Sequence, residues 1–305
     1  MTLRTWVPNA AFVALALALA GCAAVARVGV HILYRRAALP ASQIVRDVCY
    51  TPELECDARA HRLDFYLPAA HDWPVLVFIH GGGWDSGDKN LKAGGADVYA
   101  NIGRTFASRG IGTAVINYRL QPTTDWRGQV ADAEQAVRWV HEHAREYGGR
   151  ADRVFVMGHS AGGYLASWVA LGTAAADSLG VRGAICVSGA GLDLADSLTY
   201  ALGESLRYYE KRFRAGDTTE AWKRLASPVQ RVHAGAPPFL FMYAGGEKPP
   251  LKRQASVLQE ALERVGVRSR VQIVPGESHS RIVLTLSRPD KTAVPAILEF
   301  IRAHE

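Results

Sequence analysis

Residues 153–163 read Arg-Val-Phe-Val-Met-Gly-His-Ser-Ala-Gly-Gly. An apolar run stops at Gly158, a serine follows two residues later, and a helix-like run, Ala161–Leu171, begins at once. A strand that turns this sharply into a helix holds Ser160 in a strained conformation with its hydroxyl exposed. Glycines two residues either side leave room for the turn, and the helix aims its first amides at any negative charge forming there. Outward from this turn, strand candidates lie at Ile44–Tyr50, Arg62–Leu67, Val75–Ile79, Gly112–Tyr118, Gly183–Ser188, Phe239–Tyr243 and Arg270–Val274, with Arg153–Gly158 the eighth. The runs beginning at 75, 153, 183 and 239 are nearly all apolar, as in parallel strands covered on both faces. Helix candidates alternate with them: Ala96–Arg109, Gln129–Tyr147, Ala161–Leu171, Leu251–Val265 and Lys291–His304. The alternation predicts an α/β fold with a mostly parallel eight-stranded sheet flanked by helices. Residues 192–233 break the rhythm with two helix-like stretches, Tyr200–Arg214 and Thr219–Leu225, and are read as a small helical cap insertion. Within it Arg207, Lys211, Arg212 and Arg214 are read as a solvated helix face, with an acidic-substrate or membrane-surface contact as the lesser reading.

A second motif, His80-Gly81-Gly82-Gly83-Trp84, ends the strand Val75–Ile79. Consecutive glycines let backbone N–H groups converge on one point. In acyl transfer that point is an oxyanion, so Gly82, Gly83 and Ala161 are the candidate donors. A phosphate cradle fits poorly, because no Gly-Lys-Ser/Thr follows and Trp84 would crowd a nucleotide. Trp84 is instead expected to contact substrate. A serine hydroxyl needs a base. His279, past the last strand candidate and before the last helix, is the candidate. His304 is too near the chain end, and His141 and His143 lack the spacing of a zinc site. The acid should follow Phe239–Tyr243, where the loop Ala244–Pro250 holds one carboxylate, Glu247; Glu277 is its rival. The order Ser160, Glu247, His279 is that of sheet hydrolases with this turn.

With those residues quoted, the chain from about Val45 onward resembles the α/β-hydrolase superfamily, in particular HGGG-type carboxylesterases of the BD-FAE and hormone-sensitive-lipase-like branch. Ile116-Asn-Tyr-Arg-Leu, Tyr147-Gly-Gly and Pro237-Pro-Phe-Leu support the likeness. Tyr147-Gly-Gly through the turn is also similar to isoprenylcysteine methylesterases and kynurenine formamidase relatives. The family usually carries Gly-x-x-Asp where this chain has Gly245-Gly-Glu. The resemblance implies a serine hydrolase cleaving a small or short-acyl ester through an acyl-enzyme, with no metal and no cofactor. An amidase, formamidase or peptidase with the same triad is a second reading. A catalytically silent binding lipoprotein is a third, which the intact nucleophile, base and glycines oppose.

The start of the chain reads as an address. Arg4 precedes an apolar run, Ala10–Ala20, too short to span a bilayer. Leu19-Ala-Gly-Cys22 resembles the lipobox of bacterial lipoproteins. The expected organisation is a signal peptide at 1–21, a linker at 22–42 from a lipidated Cys22, and a hydrolase domain at 43–305. An uncleaved anchor is the alternative. Either tethers the chain to a membrane outside the cytoplasm, in the cell envelope. Ala23 carries no inner-membrane retention signal, which favours the outer membrane in a two-membrane host. In an oxidising compartment Cys49 and Cys56, with six residues between them, are expected to form a disulfide, and Cys186 to be a buried thiol. The net charge of +6 is spread along the 305 residues rather than blocked, which argues against nucleic acid as a partner.

Overall fold

The computed structural model describes residues 34–52, 56–172, 179–288 and 292–305. The expected leader at 1–21, Cys22 and the first part of the expected linker at 22–42 lie outside the described residues. Among the described residues no helix is long and apolar enough to cross a membrane.

Eight strands form one sheet: β1 (Ile44–Cys49), β2 (Arg62–Tyr66), β3 (Trp73–Ile79), β6 (Gly112–Ile116), β7 (Gly149–His159), β8 (Val181–Val187), β9 (Phe239–Ala244) and β10 (Ser269–Val274). Their spatial order is β1-β2-β6-β3-β7-β8-β9-β10. β2 pairs antiparallel with both β1 and β6, and every later pairing is parallel. The expected α/β-hydrolase sheet is therefore present, mostly parallel, with its antiparallel part at one edge. β3 and β9 are buried along their whole length because helices cover both faces.

Alternation along the strands sorts side chains into two cores. Val75, Val77, Ile79, Val154 and Val156 face α2 (Trp126–His143), α3 (Ala161–Leu171) and α7 (Pro249–Arg264). Leu76, Phe78, Phe155 and Met157 face α1 (Val98–Ala107), α8 (Ile282–Thr285) and α9 (Ala293–His304). At the far edge β10 leaves Val271 and Ile273 exposed. The parallel strands β3, β7, β8, β9 and β10 all end on the same side. Loops of different sequence origin meet there, as in other open α/β sheets.

Three expectations about local structure change. The helix expected from Ala96 begins only at Val98, because Ala96–Asp97 (β5) pairs antiparallel with Lys92–Ala93 (β4) across Gly94 and Gly95, both at positive φ. The stretch Tyr200–Arg214 is two helices, α4 (Ser197–Ala201) and α5 (Leu206–Phe213). Gly203 at φ 102° breaks the first, and the Ser205 hydroxyl caps the second by accepting from the Tyr208 N–H. The stretch from Thr219 narrows to α6 (Ala221–Leu225). Cys49 and Cys56 are joined by a disulfide, their Cα atoms 6.1 Å apart, and Cys186 is a buried free thiol on β8.

Candidate active site

Ser160 stands between β7 and α3 at φ 55° and ψ −117°, a conformation non-glycine residues rarely adopt. The surrounding structure forces it. The Ser160 N–H donates to the Val187 carbonyl at 2.9 Å, and the Ser160 carbonyl accepts from Gly163. The glycines are sterically required. A Cβ on Gly158 would sit 2.0 Å from the Gly162 carbonyl oxygen, and one on Gly162 would sit 2.1 Å from that of Ile79. Neither neighbour is a side chain that could swing aside.

The loop after β3 runs beside this turn. Gly82 at φ 129° has the Ser86 carbonyl where a Cβ would be, 2.0 Å away. Gly82 and Gly83 line the same cleft as Ser160, and Ala161 opens α3 directly after it. The N–H of a first helical residue has no intrahelical carbonyl to bind. His80, first of the motif, is a structural residue. It is buried, stacks on Tyr118 at 4.5 Å, and shares a 2.7 Å hydrogen bond with the Gly81 carbonyl. Burial pulls it from 6.5 to about 4, so it is neutral at working pH.

The loops after β9 and β10 bring the other two candidates to the serine. His279 Nε2 lies 3.0 Å from Ser160 Oγ, and its Nδ1 lies 3.2 Å from each Glu247 carboxylate oxygen. An ionised carboxylate only accepts, so Nδ1 carries the proton and Nε2 is left to accept from the serine hydroxyl. Glu247 is buried, and burial alone would raise its pKa. The hydrogen bond from His279, helped by Ser188, outweighs that and lowers it, so the carboxylate stays charged. The rival Glu277 faces away, with its Oε2 3.6 Å from the Arg281 Nε. Backbone bonds lock the loops together: Gly245 donates to the Val274 carbonyl and Gly246 to that of Glu277.

Two residues to which the sequence reading gave no part in the site hold this arrangement. The His159 Nε2 is 2.8 Å from the backbone carbonyl of His279. A carbonyl only accepts, so Nε2 is protonated. Burial, aided by the nearby His279, lowers His159 to about 3 and keeps the ring neutral. The variable position of the Gly-x-Ser-x-Gly motif thus fastens the loop that carries His279. The second is Arg212 on α5. Its Nε donates to the Gly83 carbonyl at 2.7 Å, its Nη2 reaches Asp85 Oδ2 at 2.5 Å, and its guanidinium lies 3.7 Å over the Tyr208 ring. With 11% of its side chain exposed, Arg212 is not part of a solvated face as expected. The signal in the sequence is Arg212 four residues after Tyr208, one helical turn on, though nothing in sequence named its partners Gly83 and Asp85.

Trp84 is a second correction. Instead of lining the cleft it is 1% exposed, held at φ 68° among Tyr164, Tyr209 and Phe213, with ring centroids 4.9–6.1 Å away. Its carbonyl accepts from the Gln129 side chain and the Gln121 N–H. Burying a large indole gains more than leaving it in a wet site, so it packs the insertion against the sheet. No cluster able to hold a metal occurs among the described residues.

The fold and the serine, histidine and carboxylate alignment at the strand ends define the α/β-hydrolase class. Solved structures agree on the fold. Esterase B from Lactobacillus rhamnosis superposes with a TM-score of 0.70 at 23% identity, covering 96% of this chain and 93% of that one. A hyperthermophilic esterase from the archaeon Pyrobaculum calidifontis gives 0.71 at 20% identity, covering 93% and 92%. Within the class, the chain belongs to the BD-FAE family, whose model matches residues 63–262. Among curated relatives, the esterase LipQ of Mycobacterium tuberculosis is 27% identical over 239 residues, 75% of this chain and 55% of that protein. The isoprenylcysteine alpha-carbonyl methylesterase ICME of Arabidopsis thaliana is 26% identical over 258 residues, 79% and 58%. The chain spans about half the length of the curated relatives it matches.

Proposed function

We propose that this chain is a serine hydrolase of carboxylic esters that works through an acyl-enzyme. The single observation that carries the reading is the unbroken chain from Ser160 Oγ through His279 to Glu247, at 3.0 and 3.2 Å, at the foot of an open cleft. Ser160 Oγ attacks the ester carbonyl carbon while its proton passes to His279 Nε2. The carbonyl oxygen becomes an oxyanion and takes hydrogen bonds from the amides of Gly82, Gly83 and Ala161, each worth about 3–4 kcal/mol in the transition state. The carbon–oxygen bond to the alcohol then breaks, and the leaving alkoxide takes the proton from His279. Water enters, gives a proton to the same nitrogen and attacks the acyl carbon. Collapse returns the proton to Ser160 and frees the carboxylic acid, which then gives its proton to solvent. Glu247 holds the ring's tautomer and steadies the imidazolium through both halves.

The test is hydrolysis of p-nitrophenyl esters, from acetate to dodecanoate, by the full chain in detergent beside Ser160→Ala. Turnover in the first and a loss of about 10⁴-fold in the second are expected, with the variant still folded by circular dichroism. Near-normal turnover by Ser160→Ala would sink the reading. Hydrolysis of p-nitroanilides in preference to the esters would move the substrate to amides. We also propose a cleaved lipoprotein, lipidated at Cys22 and held in the bacterial envelope. Its support is the Leu19–Cys22 motif after a short apolar run. The measured mass of the mature N-terminus decides between this and an uncleaved anchor.

A further inference from the structure

The cleft at Ser160 is lopsided. It encloses about 620 Å³ and runs from Ser160 and His279 toward the β4–β5 hairpin and α8. Leu91 and Ala93 come from the hairpin segment, Val98 and Tyr99 from the start of α1, and Val283 and Leu284 from α8. Among the described residues no aspartate, glutamate, lysine or arginine lines it, and neither does any residue of 192–233. On the opposite flank the insertion separates Ser160 from a further cavity of about 410 Å³, lined by Asp85, Gln121 and Arg212 but not by Ser160. The Tyr208 hydroxyl stands 2.7 Å from the place of a Cβ on Gly83, and Arg212 bridges the Gly83 carbonyl to Asp85. Among the described residues, the roomy direction open to a substrate at Ser160 is therefore this apolar one. A volume of this order accepts a group of drug-like size. An ionised group placed there would lose its hydration with no partner to replace it.

We infer that the cleft between the β4–β5 hairpin and α8 binds the longer limb of the substrate as an uncharged apolar chain, and that this wall, not the 192–233 insertion, sets which chains fit. The inference rests on the ester-hydrolase reading for the chemistry at Ser160, but the wall's preference for an apolar chain can be measured without turnover.

The experiment uses the full chain and pairs kinetics with calorimetry. Ala93→Trp and Leu284→Trp fill the wall at half-buried positions. Leu198→Ser and Leu225→Ser change exposed leucines of the insertion, 48% and 50% accessible. In the wall variants the kcat/KM ratio of p-nitrophenyl octanoate to acetate should fall about ten-fold or more, the scale of an apolar pocket's discrimination. In the insertion variants it should hold. Calorimetry on Ser160→Ala uses 2-decanone, an uncharged carbonyl compound without a leaving group, against 9-oxodecanoate, the same ketone with a carboxylate at the far end of its chain. The ketone should bind, 9-oxodecanoate should bind at least about ten-fold more weakly, and Ala93→Trp in the same background should weaken ketone binding about ten-fold or more. A ratio that follows the insertion variants and ignores the wall variants overturns the inference, as does 9-oxodecanoate binding as tightly as the ketone. If the native chain hydrolyses no ester yet the ketone binds and is lost on filling the wall, the inference stands and the ester reading falls. If the ketone does not bind, the inference falls whatever the kinetics show.

Discussion

The two halves of the site are built in different ways. The turns after β3 and β7 are fixed by volume: Gly82, Gly158 and Gly162 each face a backbone carbonyl where a Cβ would be, about 2 Å away. The loops after β9 and β10 are fixed by polar contacts, with Glu247, His279 and His159 holding one another across long sequence separations. Backbone packed against backbone cannot yield, so the first half tolerates almost no substitution. A hydrogen bond can be lost singly, so the second half should fail by degrees.

The largest effect that would test this contrast is Gly162→Ala. Its new Cβ would meet the carbonyls of Ile79 and His80 at 2.1 and 2.6 Å. We expect a loss of about 3 kcal/mol or more, the upper end of overpacking costs, measured by denaturant unfolding. A stable Gly162→Ala protein would break the comparison on its rigid side. Glu247→Gln comes next. The fold should persist while kcat falls about 10²–10⁴-fold, because an amide can settle the wrong tautomer on His279. Full activity would remove Glu247 from the charge chain.

His159 gives a smaller and more discriminating effect. His159→Leu fills the space but cannot donate to the His279 carbonyl. It should lower kcat about 10–100-fold, as one lost hydrogen bond allows, with KM within about two-fold. His159→Gln keeps an N–H donor and should recover most of the rate. Equal losses in both variants would show that the ring's shape, not its hydrogen bond, places the loop.

The smallest effect is the pH dependence of stability. His159 and His80 sit at about 3 and about 4 in the fold, below 6.5, because burial disfavours the charged ring. The unfolded chain takes up these protons while the native one does not. Stability from each is therefore fully present above about pH 6.5 and is lost as pH falls toward the folded values, at about 1.4 kcal/mol per pH unit for each group. Unfolding at pH 7, 5.5 and 4.5 should show a shallower slope for His159→Gln by that amount. Parallel slopes would mean that the ring is not held neutral.

Legibility followed the same division. The strand runs, the serine turn and the glycine loop could be read because their constraints lie within a few residues: alternation, an apolar run, a glycine where no side chain fits. Ser160, Glu247 and His279 were named from chain order, and the fold brings them within 3.2 Å. Trp84 was misread because a motif neighbour says nothing of which way its ring turns, and Tyr164, Tyr209 and Phe213 come from distant segments. Arg212 was misread for the same reason: its partners Gly83 and Asp85 are far away in the chain.

The sequence by itself determined the class of sheet, the strained serine and the residues available to activate it, since each follows from local geometry or local composition. The tertiary structure alone decided which carboxylate faces His279, that His159 grips the backbone of His279 itself, and that the open side of Ser160 is the hairpin wall rather than the insertion. Those outcomes depend on how segments separated by scores of residues share volume and hydrogen bonds, and that is settled only when the two cores close on the sheet.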